Sequence, residues 1–176
     1  MATHRCVQVG CGSRAQTHAR ALSESDRFEL LAVCDLDRSR AVETADRFGV
    51  EGVYADLHEA IESAKPTHVS IVTPPTVRLS VVTDVLEHDV DSILVEKPLA
   101  NNLEEAEAIA DALSEAGVRG TVCHQKPWGD DLRALSEWLA ADRIGDLRRF
   151  VATTKHGLAA QGTHLVHALN WLAGRR

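Results

Sequence analysis

Short apolar segments rich in β-branched residues alternate with longer amphipathic segments along the first 124 residues. Six of the short segments are predicted strands, at residues 6–9, 28–34, 53–54, 68–72, 92–95 and 118–123. Apolar positions recur at helical spacing between these strands, at residues 14–23, 39–48, 57–64, 77–85 and 103–117. Alternating strands and helices are typical of parallel β-α-β units. The pattern therefore predicts an α/β fold built on a doubly wound parallel sheet.

The pattern changes after residue 124. It predicts one more amphipathic helix at 128–141, a strand at 147–154 and a last helix at 162–174. A strand and two helices bury too little apolar surface for a second core. We therefore expect a first domain at 1–124, followed at 125–176 by the incomplete start of an α+β domain. The unpaired strand and a helix face of Leu165, Leu169 and Leu172 favour a homo-oligomer.

Composition narrows the classes of protein and of partner. The 176 residues carry 26 acidic against 19 basic side chains, a net charge of −7, which argues against a basic nucleic-acid-binding face. No apolar stretch approaches the ~20 residues of a membrane-spanning helix, and no signal core follows the first residues. The four cysteines lie singly in or beside apolar segments, as reduced core thiols do. We expect a cytoplasmic protein without nucleic-acid or membrane partners.

A glycine-rich sequence joins the first predicted strand to its helix. It reads Gly10-Cys11-Gly12-Ser13-Arg14-Ala15, the G-x-G-x-x-A pattern of a dinucleotide-binding turn. The first glycine permits the tight turn, the second lets backbone amides approach a pyrophosphate, and the alanine lets helix and strand pack closely. The N-terminus of the helix adds partial positive charge for the phosphates.

An aspartate ends the second predicted strand. Asp35 lies 23 residues after Gly12, close to the ~20 residues expected for the acid that binds a ribose diol. The alternative is a glycine turn beside a solvated aspartate, which the agreement of loop, acid and strand–helix alternation disfavours. A carboxylate there repels a 2′-phosphate, so NAD is favoured over NADP. Arg38 and Arg40 follow closely and keep NADP open.

Two further strand ends carry unusual sequences, Thr73-Pro74-Pro75 and Glu96-Lys97-Pro98. Ligands of a doubly wound sheet bind at these carboxyl ends of the strands. Pro98 predicts a rigid turn, with a trans or cis peptide, that aims Lys97 into the crevice. There the lysine would hydrogen-bond a substrate hydroxyl and favour its alkoxide. The alternative, a surface ion pair between Glu96 and Lys97, stays open on spacing alone.

Together these motifs resemble the glucose–fructose oxidoreductase, inositol dehydrogenase and rhizopine-catabolism family (Gfo/Idh/MocA). The E-K-P sequence is the most specific of them, and residues 143–147 resemble the family's approach to its second domain. The resemblance implies an NAD(P)-dependent oxidoreductase acting on a sugar, cyclitol or related polyol, with Lys97 in substrate binding and catalysis. It implies cofactor contacts from Gly10, Cys11, Gly12, Ser13, Arg14, Ala15, Asp35, Leu36, Arg38, Thr73, Pro74, Pro75, Glu96 and Lys97.

The last predicted helix resembles the family's D-x-G-x-H-x-x-D helix. Thr163 is the expected N-cap, which places His164 in the first turn, where the helix dipole disfavours the protonated imidazole. A neutral imidazole can accept a hydroxyl proton while hydride leaves the same carbon. The motif's two acids fall on Ala160 and His167. His164 and His167 are the expected catalytic residues, and a histidine pair lining an interface is the alternative.

Two classes of function remain open. The first is a sugar or polyol dehydrogenase in which Lys97 polarises the substrate oxygen and His164 moves the proton. The second is a truncated or non-catalytic module that binds a dinucleotide but turns over slowly, because an open site does not exclude water. A zinc site from His164, His167 and Cys123 or His124 has suitable ligand types. Its scattered spacing disfavours it, so no metal is expected.

Overall fold

A computed structural model describes residues 3–145, 148–153 and 161–174 of the chain. The chain divides into two compact units, residues 1–123 and 124–176. No helix in the described part of the chain is long and apolar enough to cross a membrane.

The first unit contains a six-stranded parallel sheet. Its strands are β1 (His4–Val9), β2 (Phe28–Cys34), β3 (Gly52–Tyr54), β4 (His68–Ile71), β5 (Ser92–Glu96) and β6 (Arg119–Cys123). Their order is β3-β2-β1-β4-β5-β6, and each neighbouring pair is parallel. The strand order reverses between β1 and β4, which opens a crevice at their carboxyl ends. The predicted doubly wound sheet is confirmed.

Five helices connect these strands: α1 (Ala15–Ser23), α2 (Arg38–Phe48), α3 (Leu57–Ala64), α4 (Arg78–Leu86) and α5 (Leu103–Glu115). Side chains cap three of them at their first turns, because the free backbone amides there need acceptors. The caps are Asp37 on α2, Asp56 on α3 and Asn102 on α5. The Asn102 cap, which accepts from the Glu105 amide, is the one predicted from sequence.

The larger core cluster of the first unit covers one face of the central strands, because its strand residues are spaced by two and paired across the sheet. Its strand residues are Val7, Val9, Val69, Ile71, Ile93 and Val95. Ile61, Val82, Val85 and Ile109 pack onto them from the helices. A smaller cluster, which includes Val33 and Ala45, packs on the other face, as is usual for a parallel sheet. This packing fixes the strand ends that form the crevice.

The second unit contains a 3₁₀ turn (Lys126–Trp128) and two helices, α6 (Asp130–Ala140) and α7 (Thr163–Leu172). The rings of Trp128 and Trp171 are 5.5 Å apart between centroids. Nζ of Lys126 donates to Oε1 of Gln161 at 3.4 Å. These contacts join the start of the unit to α7 and to the residues just before it.

The predicted strand at 147–154 is wrong over its described residues. Residues 148–153 have no regular secondary structure, and the two end residues of the predicted strand lie outside the described part of the chain. A strand needs backbone hydrogen bonds from a neighbouring strand. Among the residues that the structure describes, none pairs with 148–153.

Two details of α7 also differ from the prediction. Thr163 is the first helical residue, and the cap position is Gly162, whose φ of −61° and ψ of −39° are already helical. The buried positions are His164, Ala168 and Leu172, while Leu169 is 37% exposed. Of the predicted leucine face, Leu172 is buried and Leu165 is partly buried, so the prediction is wrong at Leu169 only. The buried residues are spaced by four along the helix.

Candidate functional site

The turn after β1 has the shape that a glycine pair requires. Gly10 has a φ of +95°, and a Cβ there would lie 2.8 Å from the carbonyl oxygen of Val72, so the position excludes other residues. A Cβ on Gly12 would meet no described atom within 4 Å. Buried Gln8 supports the turn, because its Nε2 donates to the Gly10 carbonyl at 3.2 Å. The first glycine is therefore fixed by the fold, and the second leaves open space above the backbone.

The carboxylate of Asp35 holds this turn against the end of β2. Oδ2 accepts from the Cys11 amide at 2.7 Å, and Oδ1 accepts from the Asp37 amide at 2.9 Å. A carboxylate has about four acceptor positions, so two remain for ligand hydroxyls. Arg38 donates to the Val53 carbonyl at 3.4 Å, and Arg40 pairs with Asp37 at 3.3 Å. Both arginines thus have partners within the protein.

A cavity of about 930 Å³ follows the crevice at these strand ends. Most of the predicted cofactor residues line it, namely Gly10, Gly12, Ser13, Arg14, Asp35, Leu36, Thr73, Pro74, Pro75, Glu96 and Lys97. Cys11, Ala15 and Arg38 are not part of this lining: Cys11 and Ala15 are buried, and the Cys11 amide already donates to Asp35. The volume of the cavity is in the range of pockets that bind small molecules and cofactors. The cavity, the free space at Gly12 and the Asp35 carboxylate fit a dinucleotide.

Glu96 is buried at the end of β5 between two basic side chains. Its Oε1 accepts from Nε of Arg14 at 2.5 Å and lies 3.5 Å from Nε2 of His18. Burial raises the pKa of Glu96, but the hydrogen bonds from His18 and Arg14 outweigh it and lower the pKa to about 2. The alternative of a surface ion pair with Lys97 is wrong, because Glu96 is only 4% exposed. The Lys97–Pro98 peptide is cis.

Buried His18 and partly buried Cys123 lie next to Glu96, and no motif in the sequence points to His18. Glu96 and Cys123 are paired across β5 and β6, and α1 presents His18 to both. Their ligand-type atoms lie within 4.8 Å of one another. Burial lowers the pKa of His18, but hydrogen bonds with Cys123 and Glu96 outweigh it and raise the pKa to about 9.

Arg78 is a second residue that the sequence analysis missed. It begins α4 and is 1% exposed. Its guanidinium donates to the carbonyl oxygens of Thr73, Glu96 and Pro98, which joins the ends of β4 and β5. The sequence feature that could have identified Arg78 is a basic residue in the first turn of a predicted helix, where the helix dipole disfavours positive charge.

The histidines of the second unit form a ring cluster. The ring of His124 lies 5.4 Å from that of His164 and 4.8 Å from that of His167, between centroids. His164 is buried and His167 is partly buried. The sequence suggests His124 only as a possible metal ligand. Of the three predicted catalytic residues, Lys97 belongs to the first unit, and His164 and His167 belong to the second.

Comparison with known proteins gives relatives along much of the chain. The chain is 29% identical over 137 residues to the D-apiose dehydrogenase of Paraburkholderia graminis, covering 78% of the chain and 36% of that enzyme. It is 26% identical over 189 residues to the rhizopine catabolism protein MocA of Rhizobium meliloti, covering 99% and 59%. It is 33% identical over 115 residues to the NAD-dependent scyllo-inositol 2-dehydrogenase of Bacillus subtilis, covering 65% and 33%.

Solved structures share the fold. An oxidoreductase from Agrobacterium radiobacter, in complex with NAD⁺, L-tartaric acid and magnesium, matches with a TM-score of 0.86 at 21% identity, over 97% of this chain and 55% of that one. The scyllo-inositol dehydrogenase from Lactobacillus casei, with bound NAD(H) and scyllo-inositol, matches with a TM-score of 0.85 at 18% identity, over 98% and 56%. The chain thus spans about half the length of these structures.

The family model described as an oxidoreductase family with an NAD-binding Rossmann fold matches residues 4–124. These residues contain the whole parallel sheet, the glycine turn and the E-K-P sequence. The chain therefore belongs to the Gfo/Idh/MocA oxidoreductase family.

Proposed function

We propose that this chain is the nucleotide-binding part of an NAD-dependent oxidoreductase that acts on a sugar, a cyclitol or a related polyol. The observation that carries the proposal is the free space at Gly12, next to a glycine turn that Asp35 holds in place. Backbone amides of such a turn bind a pyrophosphate only where no side chain blocks the approach. The sugar and cyclitol dehydrogenases among the relatives support the substrate class.

The residues that would hold NAD are those named from the sequence, and each has a physical role. The turn from Gly10 to Ala15 would bind the pyrophosphate, with Arg14 beside it. Asp35 and Leu36 would bind the adenosine ribose, with Arg38 near that end. The residues at the ends of β4 and β5, namely Thr73, Pro74, Pro75, Glu96 and Lys97, would contact the nicotinamide half. NAD, when bound, supplies the hydride acceptor on which the oxidation depends.

Asp35 supports NAD over NADP in this proposal. Its carboxylate would accept from the 2′-hydroxyl and repel a 2′-phosphate. Arg38 and Arg40 could have offset that repulsion, but each already bonds within the protein. Use of NADP remains the weaker option for this chain.

In this proposal, Lys97 and the histidines of α7 carry out the chemistry on the substrate. The Lys97 ammonium would donate a hydrogen bond to the substrate hydroxyl and stabilise developing alkoxide charge. His164 would accept the hydroxyl proton, and His167 would take the place of the acid that the family motif has at that position. His124 would orient both imidazoles through the ring contacts.

The proposal extends to a reducing, cytoplasmic environment and to self-association. Cys6, Cys11 and Cys34 are buried free thiols, which suits a reducing compartment. Val166 and Leu169 expose apolar surface on α7, and such surface favours contact with a second copy.

Titration of the chain with NAD⁺ and NADP⁺, followed by turnover with a panel of aldoses and inositols, tests the proposal. We expect NAD⁺ to bind more tightly than NADP⁺, and we expect Lys97→Met to lower turnover by at least ~100-fold while lowering NAD⁺ affinity much less. Lys65→Met is the matched control, because Lys65 is an exposed lysine between α3 and β4, away from the cavity lining. Absence of NAD⁺ binding would refute the proposal.

The same experiment separates a second candidate, a dinucleotide-binding module without turnover. The observation that favours it is His167, which stands where the family motif has an acid. Binding of NAD⁺ without oxidation of any polyol would favour this module over the dehydrogenase.

A further inference from the structure

Arg78 is a buried cation in the wall of the cavity. It is the largest fully buried side chain that the structure describes, and it also lines the cavity. Its Nη atoms bond three backbone carbonyls, while its Nε is buried without a hydrogen-bond partner among the described residues. Carbonyl dipoles solvate a guanidinium, but they do not neutralise its unit charge.

No described carboxylate lies within ion-pair distance of Arg78. Glu96 raises the pKa of Arg78 through space, but burial is the larger effect and lowers it. The carboxylate of Glu96 already pairs with Arg14 and His18. Arg14 and His18 therefore share the Glu96 carboxylate, whereas Arg78 has no described ion-pair partner. The first turn of α4 adds partial positive charge at Arg78.

Within the cavity, Arg78 lies at the ends of β4 and β5. Asp35 follows β2 and Asp56 follows β3, on the other side of β1 in the sheet, and the exposed Arg40 pairs near Asp35 with Asp37. Asp84, which also lines the cavity, lies six residues beyond Arg78 on α4, about 9 Å by helical rise. Because Asp35 would hold the adenosine ribose, the nicotinamide would extend toward the ends of β4 and β5, which Arg78 joins.

We propose that the buried charge of Arg78 makes this site select the redox state of its dinucleotide, binding NADH more tightly than NAD⁺. The oxidised nicotinamide ring carries a positive charge, and the reduced ring is neutral. All other groups of the two ligands are the same, so the repulsion from Arg78 acts on the difference in their affinities. The inference rests on the proposed function, since it requires that the chain binds a dinucleotide.

Separate titrations of NAD⁺ and NADH test this, by calorimetry and by nicotinamide fluorescence. We expect Arg78→Met to lower the ratio of Kd for NAD⁺ to Kd for NADH by about tenfold, equivalent to about 1.4 kcal/mol. Arg78→Lys, which keeps a positive charge, should leave the ratio within about threefold of the unmodified chain. Arg40→Met is the matched control, because it removes an exposed arginine near Asp35, on the other side of β1 in the sheet.

The outcomes distinguish the inference from the proposed function. If the unmodified chain binds neither dinucleotide, the proposed function fails. If it binds both and Arg78→Met leaves the ratio unchanged, only the inference is refuted. Thermal unfolding reports whether Arg78→Met folds, since it removes the donors to three carbonyls. If it does not fold, Glu96→Gln provides the test: loss of the shared carboxylate should raise the ratio severalfold, and an unchanged ratio refutes the inference.

Discussion

Gly12→Ala separates ligand binding from folding at the glycine turn. The added Cβ would meet no described atom within 4 Å, and the φ of Gly12 lies outside the left-handed region. A glycine-to-alanine change at a compatible φ stabilises a protein by about 0.4–1 kcal/mol. We therefore expect the free energy of unfolding to stay the same or to rise slightly.

The affinity of Gly12→Ala for NAD⁺, in contrast to its stability, should fall. The same Cβ occupies the space through which a diphosphate would reach the backbone amides. A hydrogen bond to a charged group contributes about 1.5–3 kcal/mol, so losing two of them costs at least about 3 kcal/mol. That loss corresponds to a Kd for NAD⁺ more than ~100-fold higher. Calorimetric titration measures the affinity, and chemical unfolding of the same sample measures the stability.

Gly10→Ala should instead destabilise the fold. Its Cβ would lie 2.8 Å from the Val72 carbonyl oxygen at a φ of +95°, so stability should fall by more than about 2 kcal/mol. NAD⁺ affinity of Gly12→Ala equal to that of the unmodified chain would refute the assignment of this turn to the pyrophosphate. Unfolding of Gly12→Ala would contradict the free space seen at that position.

Two further predictions follow from the shifted pKa values. His18 has its pKa raised to about 9 in the folded chain, so its contribution to stability is complete below the unfolded value of about 6.5 and is lost as pH rises through about 9. Chemical unfolding should show that loss, on the order of 2 kcal/mol, and His18→Gln should remove it; a flat profile in the unmodified chain would contradict the pairing with Glu96. Burial raises the pKa of Cys6 and Cys34 to about 12, so iodoacetamide at pH 8 should label the partly exposed Cys123 first. Mass spectrometry of the native protein checks this, and early labelling of Cys6 would overturn it.

The sheet was predictable from sequence because its signals are local and agree with one another. Each predicted strand of the first unit is present, and the cap at Asn102 follows from a short polar sequence. The glycine turn and Asp35 were predictable because a tight turn and a strand-end acid have fixed spacing. Their hydrogen bond, between Cys11 and Asp35, is a tertiary contact that spacing alone only suggests.

What could not be predicted depends on contacts between distant segments. Arg78 was missed because its three carbonyl partners come from two strand ends, which only the folded sheet brings together. His18 was missed because its partners Glu96 and Cys123 are distant in sequence. The predicted strand was wrong at 148–153, its described part, because β-branched residues favour a strand only where they can pair with a neighbouring strand.

The bond from Asp35 to the Cys11 amide constrains how this protein could evolve a different cofactor preference. Replacing the acid to admit a 2′-phosphate would also remove the acceptor of the Cys11 amide, in the turn that we propose binds the pyrophosphate. A successful switch to NADP would therefore need a compensating acceptor for that amide, acquired before or together with the loss of the carboxylate. A substitution at Asp35 would change the coenzyme preference and the hydrogen bonding of the turn at the same time.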